Sequence, residues 1–414
     1  MKILFVLPRC PWPPYVGQAR LAFYRARELS KLGHSVHLFC YGTGTNNLLP
    51  DQLAQLSEVF DSCSFHNLYS LHYFLLLVLA IPRFFLSEKP LIASSFTPLH
   101  ITCLFKRLVS VGKFDLVHFY SIRSFPLWGV AERLGLHFVV DLVDSMALNF
   151  QNRLEKLSFL VRPLFSVELR RVKRFELSLP AYVNCKAYLV VGSKDLSCLS
   201  LRSSADSRKP CQSDQLPCLK ICPIGVESFA HDNIDYSVCT SPRIIFFGSL
   251  SYTPNVEALE WMIHRVYRLL VNHIPNVKFL VVGSNPSHLV RSLCSEYPSI
   301  QLVENPPSIA HYLLSSFASV APMVSGSGQQ FKVIESLVNS VPCVTTSLAA
   351  DPLGLLDGIN VSVANTPSEF ASKISQLFYD TDLAKRVSRS GRDYVLSQFS
   401  WSASAEILEA IYCA

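Results

Sequence analysis

The sequence predicts an α/β protein built from two parallel, doubly wound, Rossmann-like domains. At 414 residues the chain exceeds what one hydrophobic core usually organises, so two domains are expected. Half of the residues are apolar and only 16% are charged, a balance typical of well-packed globular chains. Two separate series of short apolar runs alternate with helical segments, one beginning at Met1 and the other at Arg243.

The first series opens with KILFVLP, an apolar run suited to a buried parallel strand. The turn-rich CPWPPYVGQ follows, then the helical ARLAFYRARELSKLG with Gly33 as its C-cap, and a second strand from His34 to Cys40. Further strands are expected at Leu116–Tyr120, His137–Leu142 and Tyr188–Val191. Between Leu196 and Pro242 the pattern dissolves into Ser, Pro, Cys and charge, with residues 196–220 reading as a loop or insertion and the interdomain linker near the end of the stretch. The second series runs from RIIFFG through the helix NVEALEWMIHRVYRLLVNH and the strand VKFLVVG. Short strands at IQLV, SVAP and PCVTT follow, with KVIESLVNS as the helix between the last two.

Composition narrows the function classes. A net charge of +6 without a long basic tract argues against nucleic-acid binding and is compatible with anionic small molecules or membrane surfaces. The densest basic stretch, Arg162 to Arg174, reads first as a solvated helix face. Thirteen scattered cysteines without a C-x-x-C pair point to buried thiols in a reducing cytoplasm. The run from Met1 to Leu7 is too short for a secretory apolar region. Leu71 to Leu86 is strongly apolar but holds His72, Pro82 and Arg83, so a core or surface-docked helix is expected there rather than a membrane span.

Two segments of the second domain carry chemistry. Gly248, with Ser249, ends a strand just before a helix, where a position without a side chain lets a phosphate approach backbone N–H groups; a tight turn would explain it equally well. From Ala321 to Leu337 a strand ends in a Gly/Ser loop that opens a helix. Loop amides and the helix N-terminus suit a diphosphate, Lys332 adds a cation, and Glu335 can accept hydrogen bonds from ribose hydroxyls. A capped helix with a local Lys–Glu pair is the plainer alternative. In the first domain, His118 is either a cleft residue or a buried strand histidine. Asp141 and Asp144 stand at a strand end where an acid could orient a hydroxyl, or where Asp144 or Ser145 could cap a helix.

The series FFGSLSYTPNVEALEWM, VKFLVVGSNP, SVAPMVSGSGQQFKVIESLVNSVPCVTT, GLLDGINVSVANTPSEFASKISQLF and FSWSASAEILEAIY resembles glycosyltransferase family 4 of the GT-B fold, and within it the exopolysaccharide-associated sugar transferases. PRCPWPPYVGQARLAFYRARELSKLGHSVHLF, FDLVHF, VVDLVDSMALNF and CPIGVESF agree more loosely. The resemblance implies an acceptor-side domain over 1–235, a nucleotide-sugar-binding domain over 236–398 and a crossover helix over 399–414 that packs on the first domain. It implies that Gly248, Ser249 and the loop holding Gly326, Ser327, Gly328 and Gln329 face the donor phosphates and sugar. Glu335 would bind the nucleotide ribose, Lys332 would match a lysine common in the exopolysaccharide subset, and Gly17 would lie near the donor phosphates or acceptor. His118 and Asp144 are the candidate catalytic residues.

The departures matter as much. The first glutamate of the family's E-x7-E is Ser327 here, and SLSYTPN lacks the usual basic pair after Gly248. The histidine of the first-domain strand usually falls two positions later, at Tyr120. The implied reaction is transfer of a sugar from a nucleotide diphosphate sugar to an acceptor hydroxyl, with retention, in cell-envelope or exopolysaccharide synthesis. No metal and no cofactor are expected, nor is nucleic acid as a partner. The acceptor would be a glycan or lipid-linked, and the location cytoplasmic, with peripheral contact at the inner face of the membrane left open. Two alternatives stand: a GT-B pseudoenzyme that binds a partner, and a nucleotide-sugar epimerase.

Overall fold

A computed structural model of the chain describes residues 1–12, 17–42, 48–68, 88–154, 159, 161–200, 218–226, 242–325 and 330–414. Two compact units result: Met1–Gly225 joined by Trp401–Ala414, and Val226–Ser400.

Unit 1 holds a seven-stranded sheet in the order β3-β2-β1-β4-β5-β6-β7. Its strands are β1 (Lys2–Leu7), β2 (Ser35–Gly42), β3 (Ser62–Asn67), β4 (Leu116–Tyr120), β5 (Phe138–Val143), β6 (Cys185–Val190) and β7 (Cys218–Ile221). Every pairing is parallel. Side-chain alternation divides the sheet into two buried faces. Leu4, Val6, Val117, Phe119 and Val140 share a cluster with Phe105, Trp128 and Phe175. His118, Tyr120 and Asp141 point the other way, where the first helix (Gly17–Lys31) and the final helix (Trp401–Cys413) pack against each other. Gly33, at φ +87°, closes the first helix as expected.

Unit 2 holds a six-stranded sheet in the order β10-β9-β8-β11-β12-β13. Its strands are β8 (Arg243–Ser249), β9 (Lys278–Ser284), β10 (Ile300–Glu304), β11 (Ala318–Ala321), β12 (Cys343–Thr345) and β13 (Ser362–Val363), again all parallel. The helical run after β8 extends from Thr253 to His273 and contains a π-helical stretch at Met262–Tyr267. Ile244, Phe246, Phe279 and Val281 pack under Leu259, Met262, Val333 and Leu337, while Ile245, Phe247, Leu280 and Val282 meet Leu313 and Val341 on the opposite face.

The sequence reading missed β3, β7 and β13. All three are edge strands of their sheets, and they are short or half polar, so the apolar run that marks a central strand is absent. The stretch 196–220 is therefore not wholly loop: the helix Ser193–Ser200 and β7 occupy its described ends. The Leu71–Leu86 segment lies outside the described residues. No helix among the described residues is long and apolar enough to cross a membrane.

β8 and β9 pair closely at their ends. A Cβ on Gly283 would stand 1.8 Å from the carbonyl oxygen of Gly248 and 2.9 Å from the Leu250 side chain. Because the nearest atom is backbone in a paired strand, Gly283→Ala is expected to cost at least about 1–3 kcal/mol. A lowered urea midpoint for unit 2 checks this; an unchanged midpoint would mean that the strand ends separate freely.

Candidate functional site

In unit 2 all strand C-termini lie on one edge of the sheet, and the strand order turns back between β8 and β11. The crevice outside such a reversal is where open parallel sheets receive ligands, because the flanking loops diverge there. Gly248, the penultimate residue of β8, lies on one side, and the loop leading from β11 into the Phe331–Val338 helix lies on the other.

Gly248 has φ +144°, a region open to glycine. A Cβ there would meet the Asn255 side-chain nitrogen at 3.0 Å and the Lys332 stem at 3.8 Å. Asn255 is buried and donates through Nδ2 to the Ser249 carbonyl at 2.8 Å. Its Oδ1 accepts from Lys332 Nζ at 2.5 Å. The ammonium also lies 3.3 Å from Met323 Sδ and 4.6 Å from the centre of the Phe246 ring. One amide thus joins the end of β8 to a lysine carried by the helix after β11.

Lys332 is buried, with an amide, a thioether and an aromatic face around its nitrogen rather than a carboxylate. Burial pushes its pKa down to about 7, since water that would stabilise the ammonium is excluded. Among the described residues no anion neutralises this cation, and an incoming phosphate would supply the missing charge.

The rest of the edge is fixed by short polar contacts. Thr345 Oγ1 donates to the Ala321 carbonyl at 2.8 Å and Thr346 Oγ1 to the Met323 carbonyl at 2.7 Å, which hold the chain as it leaves β11. The Ser325 hydroxyl donates to the Glu257 carboxylate, joining this loop to the helix that follows β8. Ser249 is exposed, with its hydroxyl 3.3 Å from that of Ser251. Glu335 is half-buried one turn beyond Lys332, and its carbonyl accepts from Asn339 Nδ2 at 2.7 Å. Gly326, Ser327, Gly328 and Gln329 lie outside the described residues. Sequence reasoning overlooked Asn255 and Glu257, although polar residues in the first and second turns of the helix that follows a glycine-bearing strand end are a usable signal.

The unit 1 candidates separate. Gly17 opens the first helix. His118 is fully buried: its Nδ1 meets the Tyr412 hydroxyl, its ring stacks on Tyr120 at 4.5 Å between centroids, and Nε2 lies 3.8 Å from Asp141. Burial pushes the imidazole pKa down, against the pull of Asp141, so the histidine packs as a core group under the final helix. Asp144 is exposed and accepts from Asn149 Nδ2 at 2.9 Å. Ser145 takes the capping role, accepting from the Leu148 N–H at 3.3 Å. Sequence reasoning also missed Arg25. It is fully buried, pairs with Asp141 and donates to Ser404 Oγ at 3.0 Å and the Cys222 carbonyl at 2.6 Å.

Solved structures of similar architecture cover the whole chain. They include sucrose-phosphate synthase from Thermosynechococcus elongatus (TM-score 0.67, 13% identity, covering 100% of this chain and 98% of that one). A glycosyltransferase from Rickettsia africae aligns with TM-score 0.66 and 16% identity over 99% and 97% of the two chains. Anabaena HepE in complex with UDP and glucose aligns with TM-score 0.62 and 13% identity over 100% of both. The fold is GT-B. Within this GT-B chain, residues 241–380 match the family model described as glycosyl transferases group 1, so the matched domain contains β8, Asn255, Lys332 and Glu335. An uncharacterized 44.6 kDa protein in the cps region of Klebsiella pneumoniae is 24% identical over 153 residues, 35% of this chain. The aligned part spans 39% of that relative's length.

Proposed function

We propose that the chain transfers a glycosyl group from a nucleotide diphosphate sugar to an acceptor hydroxyl. The observation that carries the reading is a buried lysine without a carboxylate partner among the described residues, set behind Gly248 at the strand reversal of a glycosyl transferases group 1 domain. A diphosphate at this edge would be met by Lys332 and by backbone amides of the loop after β11, and Glu335 would take the ribose hydroxyls. Stabilising the departing diphosphate is the largest demand of such a reaction, and fixed charges and dipoles meet it without reorganisation. Retention at the anomeric carbon, Gly17 and the 326–329 loop as donor contacts, and a glycan or lipid-linked acceptor belong to the same reading. So does a cytoplasmic place in cell-envelope or exopolysaccharide synthesis, supported by the cps-region relative. The Anabaena HepE complexes with UDP and with UDP-glucose support a nucleotide sugar as donor.

Calorimetry with UDP, GDP and their common sugars is expected to show one nucleotide family bound, followed by slow donor hydrolysis in the absence of acceptor. If none binds, and Lys332→Ala and Glu335→Ala change nothing, the transferase reading fails in favour of a pseudoenzyme. Release of a free epimer without acceptor would favour an epimerase.

A further inference from the structure

The helices Leu99–Gly112 and Arg162–Leu177 of unit 1 bury one face each in the same core cluster, through Ile101, Phe105 and Val109 in the first and Phe175 in the second. Both therefore lie on the same side of the sheet, and their remaining faces look outward. Apolar side chains stand out on these faces: Leu99 is 85% exposed, Val111 77% and Leu164 51%. Exposed basic residues lie among them: Lys106 and Arg107 on the first helix, Arg162, Arg170 and Arg174 on the second.

The acids are arranged oppositely. Leu99–Gly112 contains none. Arg162–Leu177 contains Glu168 and Glu176, and both are buried: Glu168 accepts from the Ile92 N–H at 3.3 Å, and Glu176 from Ser145 Oγ at 2.9 Å and the Met146 N–H at 2.6 Å. Ordinary solvated helices interleave both signs of charge on their outer faces. These two present cations and large apolar groups without outward carboxylates, the combination by which interfacial helices bind anionic bilayers.

We propose that this side of unit 1 docks on an anionic lipid surface, the basic residues meeting the headgroups while Leu99, Val111 and Leu164 enter the interface. The inference rests on the surface of unit 1 alone and stands apart from the transferase reading.

Flotation of the full chain with vesicles of phosphatidylcholine, with and without phosphatidylglycerol, tests it in the absence of donor and acceptor. Binding is expected only with phosphatidylglycerol, weakening as salt is raised. The triple variant Arg107→Glu, Arg170→Glu, Arg174→Glu should lower partitioning by about tenfold or more, and Leu99→Glu with Val111→Glu should lower it as well. Reversing the exposed Lys385, Arg386 and Arg389 on the Thr381–Gln398 helix of unit 2 should leave it unchanged. All these positions are solvent-facing, and matched thermal melts confirm that the variants fold. Absence of flotation on anionic vesicles, or an equal loss in the unit 2 control, overturns the proposal. So does a concentration-dependent dimer abolished by the same variants, which would make a second copy the occupant.

Discussion

Replacing Arg25 with methionine is expected to destabilise unit 1 by about 3–5 kcal/mol, the usual cost of leaving one member of a buried ion pair without its partner. The guanidinium holds four pieces of the chain together: the first helix that carries it, Asp141 on β5, the carbonyls of Cys222 and Pro223, and Ser404 on the final helix. The pH response should also change sign. Burial alone would raise the Asp141 pKa, but Arg25 and hydrogen bonds override it and hold the carboxyl below its ordinary value. In the native chain this contribution is present above the unfolded carboxyl pKa and is lost as pH falls through the acid range. Without Arg25 the burial effect dominates, Asp141 prefers its protonated form, and stability should fall as pH rises through the same range. Urea unfolding of the full chain at several pH values, followed through Trp128 and Trp401 of unit 1, checks both points. Adding Asp141→Asn to Arg25→Met should recover part of the loss; a single variant as stable as the native chain would show that the pair contributes little.

Lys332→Met should act in opposite directions on stability and on donor binding. The lysine pKa is lowered in the fold to about 7, so below that value both folded and unfolded chains carry the charge and the fold bears the full cost of burying it. A tenfold change in proton affinity is worth about 1.4 kcal/mol, so methionine should stabilise unit 2 by a few kcal/mol at pH 6, an advantage that shrinks as pH rises toward the unfolded lysine pKa. In the native chain, stability should instead rise with pH above 7, because there the unfolded state binds the proton that the folded state has released. Donor binding should weaken in the variant by roughly tenfold to a hundredfold, the worth of a charge-assisted hydrogen bond. The native protein should take up a proton as the donor binds slightly above neutrality, visible as binding heats that vary with buffer ionisation enthalpy, and Lys332→Met should show no such dependence. Equal donor affinity in the variant would remove the lysine from the site.

The central strands were legible because each is buried on both faces and reads as an apolar run: KILFVL, LVHFY and RIIFFG stand where expected. Edge strands such as SCSFHN lack that run, because one side has no neighbour to bury it. The candidate site was legible through its backbone requirements, a glycine near the end of β8 and a lysine in the first turn of a helix. Its chemistry was not. A lysine and a glutamate three apart look like a surface pair, and only the packing of Phe246, Met323 and Asn255 reveals that the lysine is enclosed. Arg25 was invisible for a related reason: in ARLAFYRARELSK it resembles its solvated neighbours, and its partners Asp141 and Ser404 are 116 and 379 positions away.

That last separation has a consequence for biosynthesis. Unit 1 begins at the first residue but includes Trp401–Ala414, so the ribosome makes the whole of unit 2 before the helix that covers Arg25, His118 and Asp141 exists. Domains made earlier in translation usually fold first. Here unit 2 has all its residues before unit 1 does: a nascent unit 1 lacks the helix that covers its buried charged cluster until Trp401–Ala414 is made.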